Sequence, residues 1–329
     1  MPDQTMRAVR FHDYGPPEAL VVERVPRPEP GEGEVLVRVH AAGVNPVDWK
    51  FRRGDMRNFR PLQLPSAAGI DLAGTVEAVG PGVTAWQVGQ AVFGSGSGAY
   101  AEYAVAPAGN LAAMPRTLTF DQAAAAPIGA RTAWTALFDA AGLQPGQRLL
   151  VNGAAGGVGH FAVQLGRWKG AHVIGTASAA NVDFVRSLGA ETVVDYAATS
   201  VEDAVRDVDA VLDTVGGAGT ERLLRVVKPG GVIASIAGPV PEEVAQQRGG
   251  ARGACLAAAL AWCAAPAHRR TDRVGNGGAG GREGVPTGGG QPGARAQRDR
   301  PRAGPHRPAH RRLARPRQRV VCRPVCRNQ

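Results

Sequence analysis

Cysteine is missing from most of this 329-residue chain: all four, Cys255, Cys263, Cys322 and Cys326, lie in its last quarter. A body without cysteine can form no disulfide and no thiolate metal site, and it fits a reducing compartment. The last segment lacks other things. Residues 248–329 contain no Phe, Tyr, Met, Ile or Lys, and only three acids, Asp272, Glu283 and Asp299, against 18 arginines, a net +15. Residues 1–247 carry 20 basic and 25 acidic side chains, a net −5, so the +10 of the whole chain belongs to the tail. Long apolar runs are absent too. Met1 to Arg10 has no apolar stretch of the kind a secretory signal needs, and the run from Ala254 to Ala267 is shorter than the roughly 20 residues that cross a bilayer. These absences point to a cytoplasmic protein with no membrane partner. Cys322 and Cys326 stand among Arg and Pro without a second pair at zinc-ribbon spacing, which argues against a metal there.

What is present is a glycine-rich turn, Val151-Asn152-Gly153-Ala154-Ala155-Gly156-Gly157-Val158-Gly159, between an apolar strand (Leu149 to Val151) and an apolar helix running to Lys169. Ala154, Gly156 and Gly159 occupy an A-x-G-x-x-G spacing: a tight turn, a close approach of backbone to phosphate, and close packing of helix on sheet. The helix N-terminus would hold a dinucleotide pyrophosphate at Ala155 to Val158. About 20 residues on, where a carboxylate would accept the adenosine ribose hydroxyls, no acid stands. The second strand, Ala171 to Thr176, runs instead into Thr176-Ala177-Ser178-Ala179-Ala180-Asn181, small and uncharged. A ribose 2′-phosphate suits that pocket better than it suits a carboxylate, so NADPH is the expected cofactor, with Arg186 as the nearest cation. Ser178 and Asn181 also read as caps of the helix from Val182 to Leu188.

Three stretches follow from the patterning. Residues 1–125 are β-rich: Glu34 to Val39, Leu72 to Val79 and Ala99 to Val105 give strand signals, with turns at Gly80-Pro81-Gly82 and Ser95-Gly96-Ser97-Gly98, which suggests a closed or partly closed barrel. Residues 126–253 alternate strand and helix, with short apolar strands at Val193-Val194, Ala210 to Leu212 and Val232 to Ser235, the grammar of a doubly wound parallel sheet. Asp121 to Ala141 reads as one helix, or as two meeting near Pro127. Residues 254–329 are the atypical tail.

Ordered motifs then carry a resemblance. Gly43-Val44-Asn45-Pro46-Val47-Asp48-Trp49-Lys50, Gly69-Ile70-Asp71-Leu72-Ala73-Gly74-Thr75-Val76, Gly98-Ala99-Tyr100-Ala101-Glu102-Tyr103, Thr132-Ala133-Trp134, Asn152 to Gly159, and Ser187-Leu188-Gly189-Ala190 through Asp195-Tyr196 occur in sequence. From Met6 to Gly253 the chain resembles the medium-chain dehydrogenase/reductase superfamily, and within it the zinc-independent quinone oxidoreductases of the zeta-crystallin type. The resemblance implies an α/β fold with a GroES-like N-terminal domain and a Rossmann domain, a homodimer if the C-terminal segment is intact, and hydride transfer from NADPH to a quinone or related conjugated carbonyl. An enoyl reductase of the same fold, or a protein that binds NADPH without turnover, stays open. It also implies that Asn45 and Thr132 face the nicotinamide or substrate, that Asp48 and Lys50 stand nearer the entrance, that Thr214 and Val215 approach the nicotinamide riboside, and that Tyr196 borders the adenosine. Where zinc-dependent relatives carry their ligands this chain has Asn45 and Gly69-Ile70-Asp71, so no metal is expected. Simpler roles compete: Asn before Pro caps turns, Asp48 reads as helix-capping or solvent-exposed, Tyr196 as an aromatic cap on the sheet, and His40 and His160 as structural.

Beyond Gly253 the resemblance stops. Arg, Gly, Ala and Pro, the residues of GC-only codons, dominate, as an out-of-frame translation of GC-rich DNA would make them. Low hydrophobicity and high charge are equally the composition of a disordered tail. An arginine-rich arm can contact nucleic-acid phosphates, but this one has no aromatic interleaving and no RNA-binding motif, which disfavours that partner.

Overall fold

A computed structural model describes residues 5–58, 60–240 and 252–255. The expectations for residues 256–329, a shifted frame or a disordered arm, lie outside the described residues.

The N-terminal module is built from β1 (Thr5–Phe11), β2 (Leu20–Pro26), β3 (Glu34–Ala42), helix α1 (Pro46–Arg53), β4 (Ser66–Ala67), β5 (Asp71–Val79), β6 (Ala91–Ser95), β7 (Tyr103–Pro107) and β8 (Leu111–Ala113). Its strands form two antiparallel sheets, β2-β1-β4 and β7-β3-β5-β6-β8. A bridge between Ala8 and Ala101 joins them, beside a 2.9 Å bond from the Val9 N–H to the Tyr100 carbonyl. Val35, Val37, Leu72, Val76 and Val92 are almost wholly buried and form the centre of the larger sheet's core. The strand expected over Ala99 to Val105 starts only at Tyr103. Ala99 and Tyr100 donate their N–H groups to the carbonyls of Gly69 and Ala68, so that stretch crosses between sheets instead of pairing along one.

Two helices follow, α2 (Phe120–Ala124) and α3 (Pro127–Trp134), the second continuing as a π-helical turn over Thr135–Ala140. Pro127 separates them: its fixed φ and missing N–H suit the first position of a helix and no position in the interior.

The second module runs β9 (Arg148–Asn152), α4 (Gly159–Lys169), β10 (His172–Ala177), α5 (Val182–Ser187), β11 (Thr192–Asp195), α6 (Val201–Ala204), β12 (Val208–Asp213), α7 (Gly219–Leu224), β13 (Val227–Ser235) and β14 (Arg252–Cys255). The six strands are parallel in the order β11-β10-β9-β12-β13-β14, the doubly wound Rossmann arrangement. Apolar residues come in runs because both faces are covered. Leu149 and Val151 pack with Leu137, Ala162 and Val163 on one face, while Leu150 between them packs with Val211, Leu223 and Leu224 on the other. Burying one such side chain contributes about 1.5–3 kcal/mol. β14 pairs Ala254 and Cys255 with Ala234 and Ser235, so it straddles the position where the atypical composition begins.

The order of strands reverses between β9 and β12. Crevices for ligands open beyond the carboxyl ends of the strands at such a point.

Candidate functional site

A cleft of about 710 Å³ opens where β9 and β12 end. Asn152, Gly153, Ala155 and Gly156 come from the glycine turn, Thr176, Ser178 and Asn181 from the end of β10, Tyr196 from beyond β11, and Thr214 and Val215 from beyond β12. Tyr196 and Val215 are each 63% exposed, unusual for large apolar side chains, because both face this opening.

The turn owes its shape to two glycines. Gly153 has φ +81°, and a Cβ there would meet the Thr214 hydroxyl at 2.4 Å, so only glycine fits beside β12. A Cβ on Gly159 would lie 2.2 Å from the Gly153 carbonyl, which is the close packing of helix on turn that the spacing predicts. Gly156 differs: its nearest neighbour would be the Gly153 carbonyl at 3.2 Å, and the open side faces the cleft. His160 donates from Nδ1 to the Gly156 carbonyl at 2.8 Å and is buried, which lowers its pKa; it ties the turn to α4 as a structural residue.

Behind the turn, Thr176 Oγ1 accepts the Gly153 N–H at 2.9 Å and donates to Asn152 Oδ1 at 2.8 Å. Asn152 in turn donates to Asp213 Oδ1 at 3.0 Å. Asp213, fully buried, also accepts the N–H groups of Val215 and Gly216 at 3.0 Å and the Thr220 hydroxyl at 2.7 Å. One carboxylate therefore fixes the loop after β12 and the start of α7 together.

The expected cofactor residues divide. Ala155, Gly156, Ser178, Tyr196, Thr214 and Val215 line the cleft; Ala154 and Gly159 are buried behind it, and Gly157 and Val158 do not line it. Ser178 and Asn181 bond each other, Asn181 Nδ2 donating to Ser178 Oγ at 3.0 Å, and neither side chain caps the following helix. Arg186, expected as the nearest cation, is not among the lining residues. Its guanidinium lies 3.5 Å from Asp183 one turn back on α5, a consequence of i,i+3 spacing. Arg222, from α7, does line the cleft. Nothing near Ser178 in the sequence signals it.

The residues expected around the substrate meet in a second network. Asp48 Oδ2 accepts the Asn45 backbone N–H at 2.7 Å, closing the first turn of α1, so Asp48 does cap the helix. That leaves the Asn45 side chain free to reach Asp71, to whose Oδ2 its Nδ2 donates at 3.0 Å. Asp71, fully buried, also accepts the Ile128 N–H at 2.9 Å and the Ser95 hydroxyl at 3.0 Å. Ile128 opens α3, and Thr132, buried, stands one turn further along that helix. Tyr100 completes the set by donating to Asp48 Oδ2 at 2.8 Å. Gly69 makes this possible: at φ +90°, any Cβ would sit 2.3 Å from the Tyr100 ring.

Burial pushes Asp48 up to about 6, against the pull of its bonds from Asn45 and Tyr100. It pushes Asp71 up to about 7, with the charge of Asp48 adding to the rise and three donors opposing it. Zinc does not suit this arrangement. The Asn45 amide is turned donor-first to Asp71, Ile70 offers no ligand atom, and Asp71 is already engaged by three donors. Among the described residues no three His, Cys, Asp or Glu side chains are placed to hold a metal.

These features define a two-domain nucleotide-binding oxidoreductase fold. A family profile described as "Alcohol dehydrogenase GroES-like domain" matches residues 31–116, and one described as "Zinc-binding dehydrogenase" matches residues 157–251. Mouse quinone oxidoreductase is 37% identical over 249 residues, 71% of this chain and 75% of that protein. A chloroplast envelope quinone oxidoreductase homolog of Arabidopsis thaliana is 40% identical over 206 residues, 60% of this chain and 63% of its own length. A mycobacterial protein whose structure was solved in complex with NADPH superposes with a TM-score of 0.68 at 31% identity, covering 79% of this chain and 86% of that one. The chain belongs to the quinone oxidoreductase family of the medium-chain dehydrogenase/reductase superfamily. It spans a little under two thirds of the plant relative's length. Among the described residues no helix is long and apolar enough to cross a membrane.

Proposed function

We propose that this chain binds NADPH in the cleft beyond β9 and β12 and reduces a small quinone or related conjugated carbonyl by hydride transfer, without a metal. The observation that carries this reading is the pairing of a glycine-floored cleft, with no carboxylate on the turn after β10, with a site whose zinc-ligand positions are filled by Asn45, Ile70 and Asp71. When bound, the reduced nicotinamide supplies the hydride. The glycine turn at Ala155 and Gly156 and the first turn of α4 would face the pyrophosphate, with the Gly156 N–H itself spent on the Gly153 carbonyl. Thr214 and Val215, braced by Asp213, hold the riboside end, while Tyr196 and Ser178 border the adenosine.

Asn45 orients the acceptor. One amide hydrogen is held by Asp71, which fixes the plane of the amide and leaves its second N–H to donate to the acceptor's oxygen. Thr132, one turn beyond Ile128 on α3, is the second residue assigned to the acceptor. Asp48 holds Asn45 by its backbone and, with a pKa of about 6, exchanges a proton near neutrality. A quinone asks for little more, since its reduced form delocalises charge and positioning does most of the work.

Steady-state NADPH oxidation with a benzoquinone, with an enone, and with no acceptor tests the reading. Acceptor-dependent oxidation, fastest with the quinone and unchanged by a chelator, is the expected result. Faster turnover of the enone would move the chain to the enoyl reductases. Tight NADPH binding without turnover would make it a binding protein, and activity restored by zinc after chelation would overturn the metal-free site.

A further inference from the structure

The cleft poses a problem of charge. A ribose 2′-phosphate carries close to two negative charges, yet the turn after β10 offers only neutral groups, and its nearest sequence cation, Arg186, is turned to Asp183. A 2′-hydroxyl would be content with Ser178 and Asn181; a phosphate would not.

Two charged side chains line the cleft, Arg222 from α7 and Glu202 from α6. Among the described residues the two form no ion pair with each other, and Arg222 is exposed and makes no ion pair. Its base is fixed. Thr220, two residues earlier, is buried and donates to Asp213, and Leu223, the next residue, is buried in the core beneath β12. The carboxylate that shapes the nicotinamide-side loop thus also anchors the helix that carries this guanidinium.

We propose that Arg222 is the residue that selects NADPH over NADH, reaching from α7 to the 2′-phosphate while Ser178 and Asn181 supply neutral hydrogen bonds. The selecting cation stands on the crossover after β12 and not on the turn after β10. A planar guanidinium with five donors suits a phosphate and can meet two of its oxygens at once. Glu202 works against the anion, so the preference for NADPH depends on Arg222 and is moderate. This assignment rests on the reading of the cleft as an NADPH site.

Calorimetric titration of the full chain separates the two. NADPH, NADH, 2′,5′-ADP and 5′-AMP are titrated into wild type, Arg222→Gln and Arg222→Lys. In Arg222→Gln, NADPH and 2′,5′-ADP should weaken about tenfold to a hundredfold, the worth of a charge-assisted contact, while NADH and 5′-AMP stay within about twofold. Arg222→Lys should recover part of the loss. Equal weakening of all four ligands would make Arg222 a contact to the adenine and overturn the assignment, as would unchanged NADPH binding in Arg222→Gln or a wild type indifferent to the 2′-phosphate. A wild type that binds none of the four would overturn both this assignment and the reading of the cleft.

Discussion

The two modules treat buried polar groups in opposite ways. In the N-terminal module, Asp71 is fully buried and Asp48 half-buried, and Asp71 and the Oδ2 of Asp48 are spent on their own chain: on Asn45, Ser95, Tyr100 and the N–H groups at the start of α1 and α3, with Asp48 Oδ1 buried without a partner among the described residues. In the Rossmann module the corresponding carboxylate, Asp213, is also saturated, but it stands one layer behind a surface of neutral groups that face open space. One network holds a site together from inside. The other stiffens a wall and leaves its outer layer available to a ligand. Where both modules use a carboxylate as a hub, then, the second sets a row of unspent polar atoms around an open cleft.

The largest test of that contrast is a pair of glycine variants. Gly159→Val drives a side chain into the Gly153 carbonyl, where even the Cβ would sit at 2.2 Å, and should cost several kcal/mol or prevent folding. Gly156→Val meets only a 3.2 Å neighbour on the protein side and should stay folded, yet its branches fill the cleft and NADPH binding should be lost. Melting curves and NADPH titration of the two check this. A folded Gly156→Val chain with unchanged NADPH affinity would refute the pyrophosphate position.

Next in size is Asp71→Leu. It strands the Asn45 amide, the Ser95 hydroxyl and the Ile128 N–H in the interior, and the loss should be about 3–5 kcal/mol in urea unfolding. Asp71→Asn keeps an acceptor and should lose less. Equal stability of Asp71→Leu and wild type would show that the network adds nothing.

The same carboxylates set a sign for pH. An ordinary aspartate titrates near 3.8; folded Asp48 does so at about 6 and Asp71 at about 7. Between about pH 4 and pH 7 the folded chain therefore holds protons that the unfolded chain has released, and stability falls as pH rises through that window. His160 and His40, both lowered by burial, act in the other direction: folding keeps them neutral, so their contribution is lost as pH falls below the ordinary histidine value of 6.5. Replacing Asp48 and Asp71 together by Asn should remove the fall and leave the histidine rise. Urea midpoints at about pH 5, 6 and 7.5 measure it. Identical pH profiles for the variant and wild type would sink the assignment.

Local features were legible in the sequence, and features assembled from distant segments were not. The glycine turn, the parallel strands and the doubly wound order follow from patterns a few residues long, and Asp48 capping Asn45 spans only three. In the sequence Asp71 reads only as a residue that replaces a zinc ligand. Its partners Asn45 and Ile128 lie 26 and 57 residues away, so nothing in its neighbourhood announces a hub. Arg222 gives no signal near Ser178, because it reaches the cleft from a different crossover, 44 residues further along the chain. Gly153 lies outside the A-x-G-x-x-G spacing, which begins at Ala154. The signal that could have found Gly153 is that a turn leaving a strand this sharply needs a residue free to take positive φ.

The smallest predicted effect is the one that separates the modules most cleanly, because it makes the same chemical change in each. Ser95 is buried and donates to Asp71 Oδ1 at 3.0 Å; Ser178 is partly exposed at the cleft and accepts from Asn181 at 3.0 Å. Removing the Ser95 hydroxyl takes away one of three donors to a buried carboxylate, which should cost about 1–3 kcal/mol of stability. It should leave the NADPH affinity alone, since nothing on Ser95 lines the cleft. Removing the Ser178 hydroxyl lets water take over for Asn181, so stability should move by less than about 0.5 kcal/mol. The proposed ribose contact disappears, however, and NADPH should bind a few-fold more weakly, by roughly one neutral hydrogen bond. If Ser178→Ala proves the more destabilising of the two, or if Ser95→Ala weakens NADPH and Ser178→Ala does not, the division into an inward-spent and an outward-available network is wrong.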